Sequence, residues 1–183
     1  VFLYYLIIWP MHSDRRFVRR NGMIGHQLYK SWNYKHVVKV TIRSSFDKYK
    51  SKNIFRESDI FDNIDVKNKD KFEDVVYNFT PDVIVNSIGI TKKLANVNNS
   101  ETNLINSKFP HYLSKLCQKY NVRLIQLSSD CVFSGKKGDY KIDDFKDAED
   151  TYGVSKSKGE LLNQKNVLTI RKSTIGFELD SKH

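Results

Sequence analysis

From Gly22 onward, short apolar runs rich in β-branched residues alternate with helical patterns, and this rhythm is the strongest constraint the chain places on its fold. "HVVKVTIR" (36–43), "DVIVNSIGI" (82–90), "VRLIQLSS" (122–129) and "VLTIRKS" (167–173) read as strands. Between them the apolar spacing turns helical. Ile24, Leu28 and Trp32 lie four apart over 23–32, and Phe72, Val75, Val76 and Phe79 share one face of a helix that Pro81 ends. A longer helical stretch carries Leu104, Ile105, Phe109, Tyr112, Leu113, Leu116 and Cys117, with Pro110 inside it predicting a kink or restart. A last helix is expected over 151–163. Strands separated by helices of this length imply an α/β fold, a doubly wound parallel sheet with helices on both faces. No repeat or linker divides the chain, so one domain is expected; residues 134–150, polar and with two glycines, are the longest loop.

The formal charge of +10 raises the question of nucleic acid. Its distribution answers against it. The basic pairs Arg15-Arg16, Arg19-Arg20, Lys92-Lys93 and Lys136-Lys137 are scattered, without an aromatic-interleaved stripe, and an anionic small molecule suits them better. The opening "VFLYYLIIWP" is shorter than the ~20 residues a membrane helix needs and lacks the basic flank and cleavage site of a signal peptide. Neither nucleic acid nor membrane is therefore an expected partner. Cys117 and Cys131 sit in apolar surroundings without metal-ligand spacing, which predicts buried free thiols in a reducing compartment.

Tyr152 and Lys156 are four apart on a predicted helix, where an ammonium can lower a phenol's pKa. Ten tyrosines in a lysine-rich chain make about one such pair expected by chance, so alone it reads as a solvated surface. Context changes that. About twenty residues upstream a strand ends in Ser128-Ser129-Asp130, presenting hydroxyls at the carboxyl edge of a parallel sheet, where open α/β folds bind ligands. Serine hydroxyl, phenol and ammonium together form a relay that can protonate an alkoxide while a nicotinamide delivers hydride. The bland reading of the two serines is strand-end capping.

"DVIVNSIGI", "LIQLSSDCVFSG", "DAEDTYGVSKSKGE" and "LTIRKSTIG", in this order, resemble the extended short-chain dehydrogenase/reductases, most closely the dTDP-4-dehydrorhamnose reductase branch. The combination, running from about residue 21 to 183, is far more specific than any single motif. The resemblance implies a Rossmann-type domain over 21–183 that binds NADP(H) or NAD(H), and a cytoplasmic enzyme of polysaccharide or nucleotide-sugar synthesis, compatible with a homodimer. Its substrate would be a nucleotide-linked 4-keto-6-deoxy sugar. Tyr152 matches the catalytic tyrosine, Lys156 the lysine that also holds the nicotinamide ribose, and Ser129 the hydroxyl residue of the Ser-Thr-Asp stretch, with Asp130 beside it toward substrate. For the cofactor the resemblance implies Gly22, Met23, Ile24 and Gly25 in the phosphate loop, Asp65 and Val66 at the adenine, and Asn86, Ser87 and Gly89 at the strand end. Asn106 matches the family's helix asparagine. Arg43, ending the second strand, is placed to pair with a 2′-phosphate and favours NADP, a surface arginine being the plain alternative. An epimerase or dehydratase of the same superfamily, or a non-catalytic nucleotide-binding regulatory subunit, are the competing expectations.

Two departures qualify the match. The family's glycine motif has three glycines, and Arg19 occupies the first place, where a side chain obstructs the tight turn out of the first strand. That strand is itself atypical, reading "SDRRFVRR" with only Phe17 and Val18 apolar. Residues 1–20 thus form an atypical N-terminal segment, as a shifted reading frame would produce. Family members also continue beyond residue 183 into most of the sugar-nucleotide lobe, so the domain is expected to be incomplete at its C-terminus.

Overall fold

The computed structural model describes residues 15–16 and 23–173. In chain order these form β1 (Arg15–Arg16), α1 (Met23–Trp32), β2 (Val37–Val38), β3 (Val40–Thr41), β4 (Ile60–Phe61), α2 (Lys69–Phe79), β5 (Val83–Asn86), α3 (Lys92–Ala95), α4 (Asn99–Thr102), α5 (Phe109–Lys119), β6 (Arg123–Leu127), α6 (Thr151–Lys158) and β7 (Val167–Ile170). Every strand pairing is parallel: β1 with β2, β3 with β4, and β5-β6-β7 as one sheet. Asn86 lies opposite Gln126 and Leu127 opposite Ile170. The three chains therefore leave the sheet at one carboxyl edge, and that edge carries the candidate chemistry.

The helices form where their sequence allows burial on one side. In α2 the Asn68 side chain accepts from the Lys71 amide as an N-cap, Thr80 closes the helix in the left-handed region (φ 44°), and Phe72, Val75, Val76 and Phe79 are buried as expected. Phe72 meets Phe109 edge to face at 5.5 Å; burying such a ring contributes about 2–3 kcal/mol. The stretch runs on through Pro110 without restarting: Asn103–Lys108 form a widened π-helical turn that leads with helical backbone into α5, and this local widening accommodates the missing N–H of Pro110.

Four other readings differ. In α1 the deepest side chains are His26 and Tyr29, whereas Ile24, Leu28 and Trp32 only flank the core. Tyr29 tolerates full burial because its hydroxyl donates to Asp59 Oδ2 (2.8 Å) and accepts from the Arg56 amide (3.3 Å). The run 36–43 is paired at its start with β1 and near its end with β4, so it divides into β2 and β3 at Lys39. α6 stops at Lys158 rather than 163: Gly159 caps it, and the next amide, that of Glu160, turns to the Ser157 carbonyl three residues back. Cys117 is buried, but Cys131 is only half-buried.

Candidate active site

At the carboxyl edge a chain of buried amides joins the strands. Asn86 Nδ2 donates to Gln126 Oε1 (2.7 Å), Asn86 Oδ1 accepts from the Ile88 amide (3.0 Å), and Gln126 Nε2 donates to the Leu127 carbonyl (3.1 Å). Lys156, 7% exposed, reaches from α6 to the same carbonyl, its Nζ donating at 2.8 Å. An ammonium is rarely buried this far without a function or a strong partner.

Ser129 is extended (φ −140°, ψ 151°) and buried, and its hydroxyl donates to Asp130 Oδ1 (3.1 Å) and accepts from the Cys131 amide (3.2 Å). The strand-end capping role is thus realised. Burial pushes Tyr152 above the usual phenol range, the hydrogen bond with Ser129 pulls it down, and the nearby Cys131, Asp130 and Asp150 push it up. The net shift of the phenol is upward, burial outweighing the contribution of Ser129. A raised phenol keeps its proton at neutral pH, the state a donor needs. Asp130 is exposed; burial works to raise its carboxyl, but hydrogen bonds from Ser129, Ser173 and Cys131 outweigh it and hold it below the usual range. Lys172, after β7, is lowered by burial, with Asp130 acting against that.

Asn106 lies in the π-helical turn and acts as a clamp. Its Oδ1 accepts from the Ile90 amide (2.8 Å), and its Nδ2 donates to the Ile90 carbonyl (3.0 Å) and to Ser155 Oγ (3.0 Å). The loop after β5 is thereby fixed to α6. Close approach makes this possible: a Cβ on Gly159 would lie 1.9 Å from the Asn106 carbonyl oxygen, and one on Gly153 2.3 Å from the Cys131 carbonyl oxygen. Gly89 differs, because a Cβ there would meet only Asn106 Oδ1 at 3.4 Å and Lys156 Nζ at 3.8 Å, so its bare backbone leaves space beside the lysine.

The remaining expected cofactor positions are spread along the amino-terminal half. Gly22, with Arg19 and Arg20, lies outside the described residues; Met23 opens α1, Ile24 is half-buried and Gly25 buried. Arg43 Nε pairs with Asp65 Oδ2 (2.9 Å) and its Nη1 with Glu101 (3.9 Å); Asp65 also accepts from the Lys67 amide, and Val66 is buried. Ser87 is half-buried just after β5. The structure thus gathers Asn86, Gly89, Ser129, Tyr152 and Lys156 at one edge and joins Arg43 to Asp65 at another place.

Sequence reasoning missed Gln126 and Glu160. Gln126 looks like an interior strand position, and only its pairing with Asn86 gives it meaning. Glu160 continues the four-residue spacing of Tyr152 and Lys156, a signal that was available, but its partners Ser128, Lys146 and Arg171 are far apart in sequence.

A family model described as the RmlD substrate binding domain matches residues 18–175. A curated dTDP-4-dehydrorhamnose reductase from Aggregatibacter actinomycetemcomitans is 33% identical over 104 residues, covering 56% of this chain and 35% of that protein. Among solved structures, a hypothetical dTDP-4-dehydrorhamnose reductase from Sulfolobus tokodaii superposes with TM-score 0.68 at 24% identity, covering 85% of this chain and 54% of that one. The Bacillus anthracis dTDP-4-dehydrorhamnose reductase in complex with NADP gives TM-score 0.64 at 20% identity, covering 82% and 50%. The Bordetella bronchiseptica enzyme WbmG in complex with NAD gives 0.68 at 20%, with the same coverage of 82% and 50%. The chain spans about a third of that curated relative and about half of these structures. At such identities the structural likeness is one of fold, and the fold is Rossmann-type. The family match extends over most of the chain, and this protein belongs to the RmlD substrate binding domain family.

Proposed function

We propose that this chain contributes the cofactor-binding and catalytic edge of an NAD(P)H-dependent reductase acting on a nucleotide-linked 4-keto-6-deoxy sugar. The observation that carries the reading is the buried Lys156 ammonium, held at the sheet edge by the last carbonyl of β6, two residues before Ser129 and on the helix that also carries Tyr152.

The residues present fit a nicotinamide nucleotide at this edge. Gly89 leaves room beside Lys156 Nζ, and Lys156 can exchange the Leu127 carbonyl for ribose hydroxyls because Gln126 still donates to that carbonyl. Gly25 lies buried in the first turn of α1, whose amino-terminal N–H groups favour a pyrophosphate. When bound, a nicotinamide would supply the hydride for the carbonyl carbon. Tyr152 protonates the carbonyl oxygen, Ser129 donates a hydrogen bond to that oxygen, and Lys156 favours the phenolate that forms. Asp130, ionised and exposed beside Ser129, faces the substrate side. NADP(H) is the favoured cofactor through Arg43, with NAD(H) as the other choice.

The family match and the dTDP-4-dehydrorhamnose reductase relative support the substrate class, as does the neighbour WbmG in complex with NAD and UDP. Among the described residues no helix is long and apolar enough to cross a membrane, and both cysteines are free thiols; a cytoplasmic role in polysaccharide synthesis is part of the same proposal. A homodimer belongs to the same proposal. NADPH oxidation driven by a dTDP-4-keto-6-deoxy sugar tests the reading. Tyr152→Phe should lower turnover by about 100-fold or more, and undiminished turnover would overturn it. Net NADPH consumption also separates a reductase from an epimerase or dehydratase, which uses the same pair of residues and returns the hydride to its product.

A further inference from the structure

The Glu160 side chain is completely buried, and three charged or polar groups from three separate segments converge on it. Arg171, just past β7, grips both carboxylate oxygens, Nε on Oε1 at 2.8 Å and Nη2 on Oε2 at 2.9 Å. Lys146, from the long 134–150 loop, donates to Oε2 at 3.2 Å. Ser128, at the end of β6, donates to Oε1 at 2.7 Å. Burial acts to raise the carboxyl, but these three partners outweigh it and keep Glu160 ionised.

A buried ion pair is a poor source of net stability, because desolvation offsets most of the attraction; its characteristic effect is to fix one arrangement. The arrangement here is the candidate catalytic edge itself. Glu160 directly follows Gly159, the cap of α6, so its backbone moves with the helix that carries Tyr152 and Lys156. Ser128 immediately precedes Ser129 in extended chain, where successive side chains point to opposite faces. Ser128 is thereby tied to the segment that caps α6, beside Ser129, whose own hydroxyl is held by Asp130 and the Cys131 amide. Arg171 adds a second brace: its Nη1 donates to the Ile142 carbonyl (2.7 Å) and its guanidinium lies 5.0 Å from the Phe133 ring centroid, which stacks on Tyr140 at 4.5 Å. Two residues beyond Arg171, Ser173 hydrogen-bonds Asp130.

We propose that Glu160 is a positioning residue that, through Ser128, holds the end of β6, and with it Ser129, to the helix that carries Tyr152 and, through Arg171 and Lys146, braces the loop beside them. It touches neither substrate nor cofactor. The proposal rests on the reductase reading only in calling Ser129 and Tyr152 catalytic.

The test is the alkaline titration of Tyr152 in the folded chain, followed by NMR of Cζ-labelled tyrosine and assigned with Tyr152→Phe. The groups acting on that phenol are Ser129, Cys131, Asp130 and Asp150, with Lys92 paired to Asp150. Ser129→Ala removes the lowering hydrogen bond and should move the midpoint upward. Glu160→Gln removes a negative charge, which alone would move it downward; a positioning role predicts an upward move, toward the Ser129→Ala value. Ser128→Ala, which leaves the ion pair intact and carries less risk to folding, should move it upward as well. A midpoint that stays put or falls in both Glu160→Gln and Ser128→Ala overturns the proposal, and Ser128→Ala alone decides if Glu160→Gln does not fold. NADPH binding is measured on the same samples: absent binding with the stated Tyr152 shifts overturns the reductase reading and leaves the role of Glu160 standing.

Discussion

Lys156 Nζ donates to the Leu127 carbonyl at 2.8 Å, and Gln126 Nε2 donates to the same oxygen at 3.1 Å. That shared acceptor makes the lysine removable. Lys156→Met should keep the side-chain volume and leave the carbonyl satisfied, costing about 1 kcal/mol or less in urea unfolding. Nicotinamide-cofactor affinity should fall about tenfold or more, equivalent to about 1.4 kcal/mol by calorimetric titration.

Gly159 packs its α-carbon against the Asn106 carbonyl, where a Cβ would lie at 1.9 Å. Gly159→Ala must push α6 away from the π-helical turn and should destabilise the chain by about 3 kcal/mol in chemical denaturation. Gly89→Ala, with its nearest contact at 3.4 Å, should leave stability within about 1 kcal/mol and instead weaken cofactor binding by filling the space beside Lys156.

Asp147 accepts from the Ser134 hydroxyl and amide and from the Tyr140 hydroxyl, contacts that lower its carboxyl to about 2. A depressed carboxylate stabilises the fold above its unfolded pKa, and that contribution is lost as pH falls through the folded value. The Ser134 amide resonance should therefore titrate with a midpoint near pH 2, and the order of the 134–147 loop should be lost between about pH 4 and pH 2. In Asp147→Asn the same transition should vanish from the Ser134 signal.

Arg43 is paired with Asp65 at 2.9 Å and approaches Glu101 at 3.9 Å. A 2′-phosphate must compete with both carboxylates for this guanidinium. Asp65→Asn should raise the affinity for NADPH relative to NADH by about tenfold, and Arg43→Ala should lower that ratio, both read by comparing dissociation constants for the two cofactors.

The parts of this fold legible in the sequence are those whose apolar side chains alone define a face. Phe72, Val75, Val76 and Phe79 announced α2, and Val83, Ile84 and Val85 announced β5, because their buried apolar side chains share one helical face or run consecutively. His26 and Tyr29 escaped the same logic, since a buried polar tip is recognisable only once its partner, such as Asp59, is known. The site divides likewise. Ser129, Tyr152 and Lys156 could be proposed because their spacing resembles a family pattern, whereas Glu160, Arg171 and Lys146 meet through contacts that no local window contains. Helix α6 ended early for a similar reason, its stop being set by the approach of Gly159 to Asn106.

The proposed function requires this sheet edge to hold a nicotinamide nucleotide through Lys156 and the space beside Gly89. Fluorescence titration of the chain with NADPH and NADH reads this binding without any substrate. Saturable binding of at least one of the two is expected, weakened about tenfold or more in Lys156→Met. No saturable binding of either up to millimolar concentration, or equal binding in Lys156→Met, would contradict it and favour a non-catalytic member of the family.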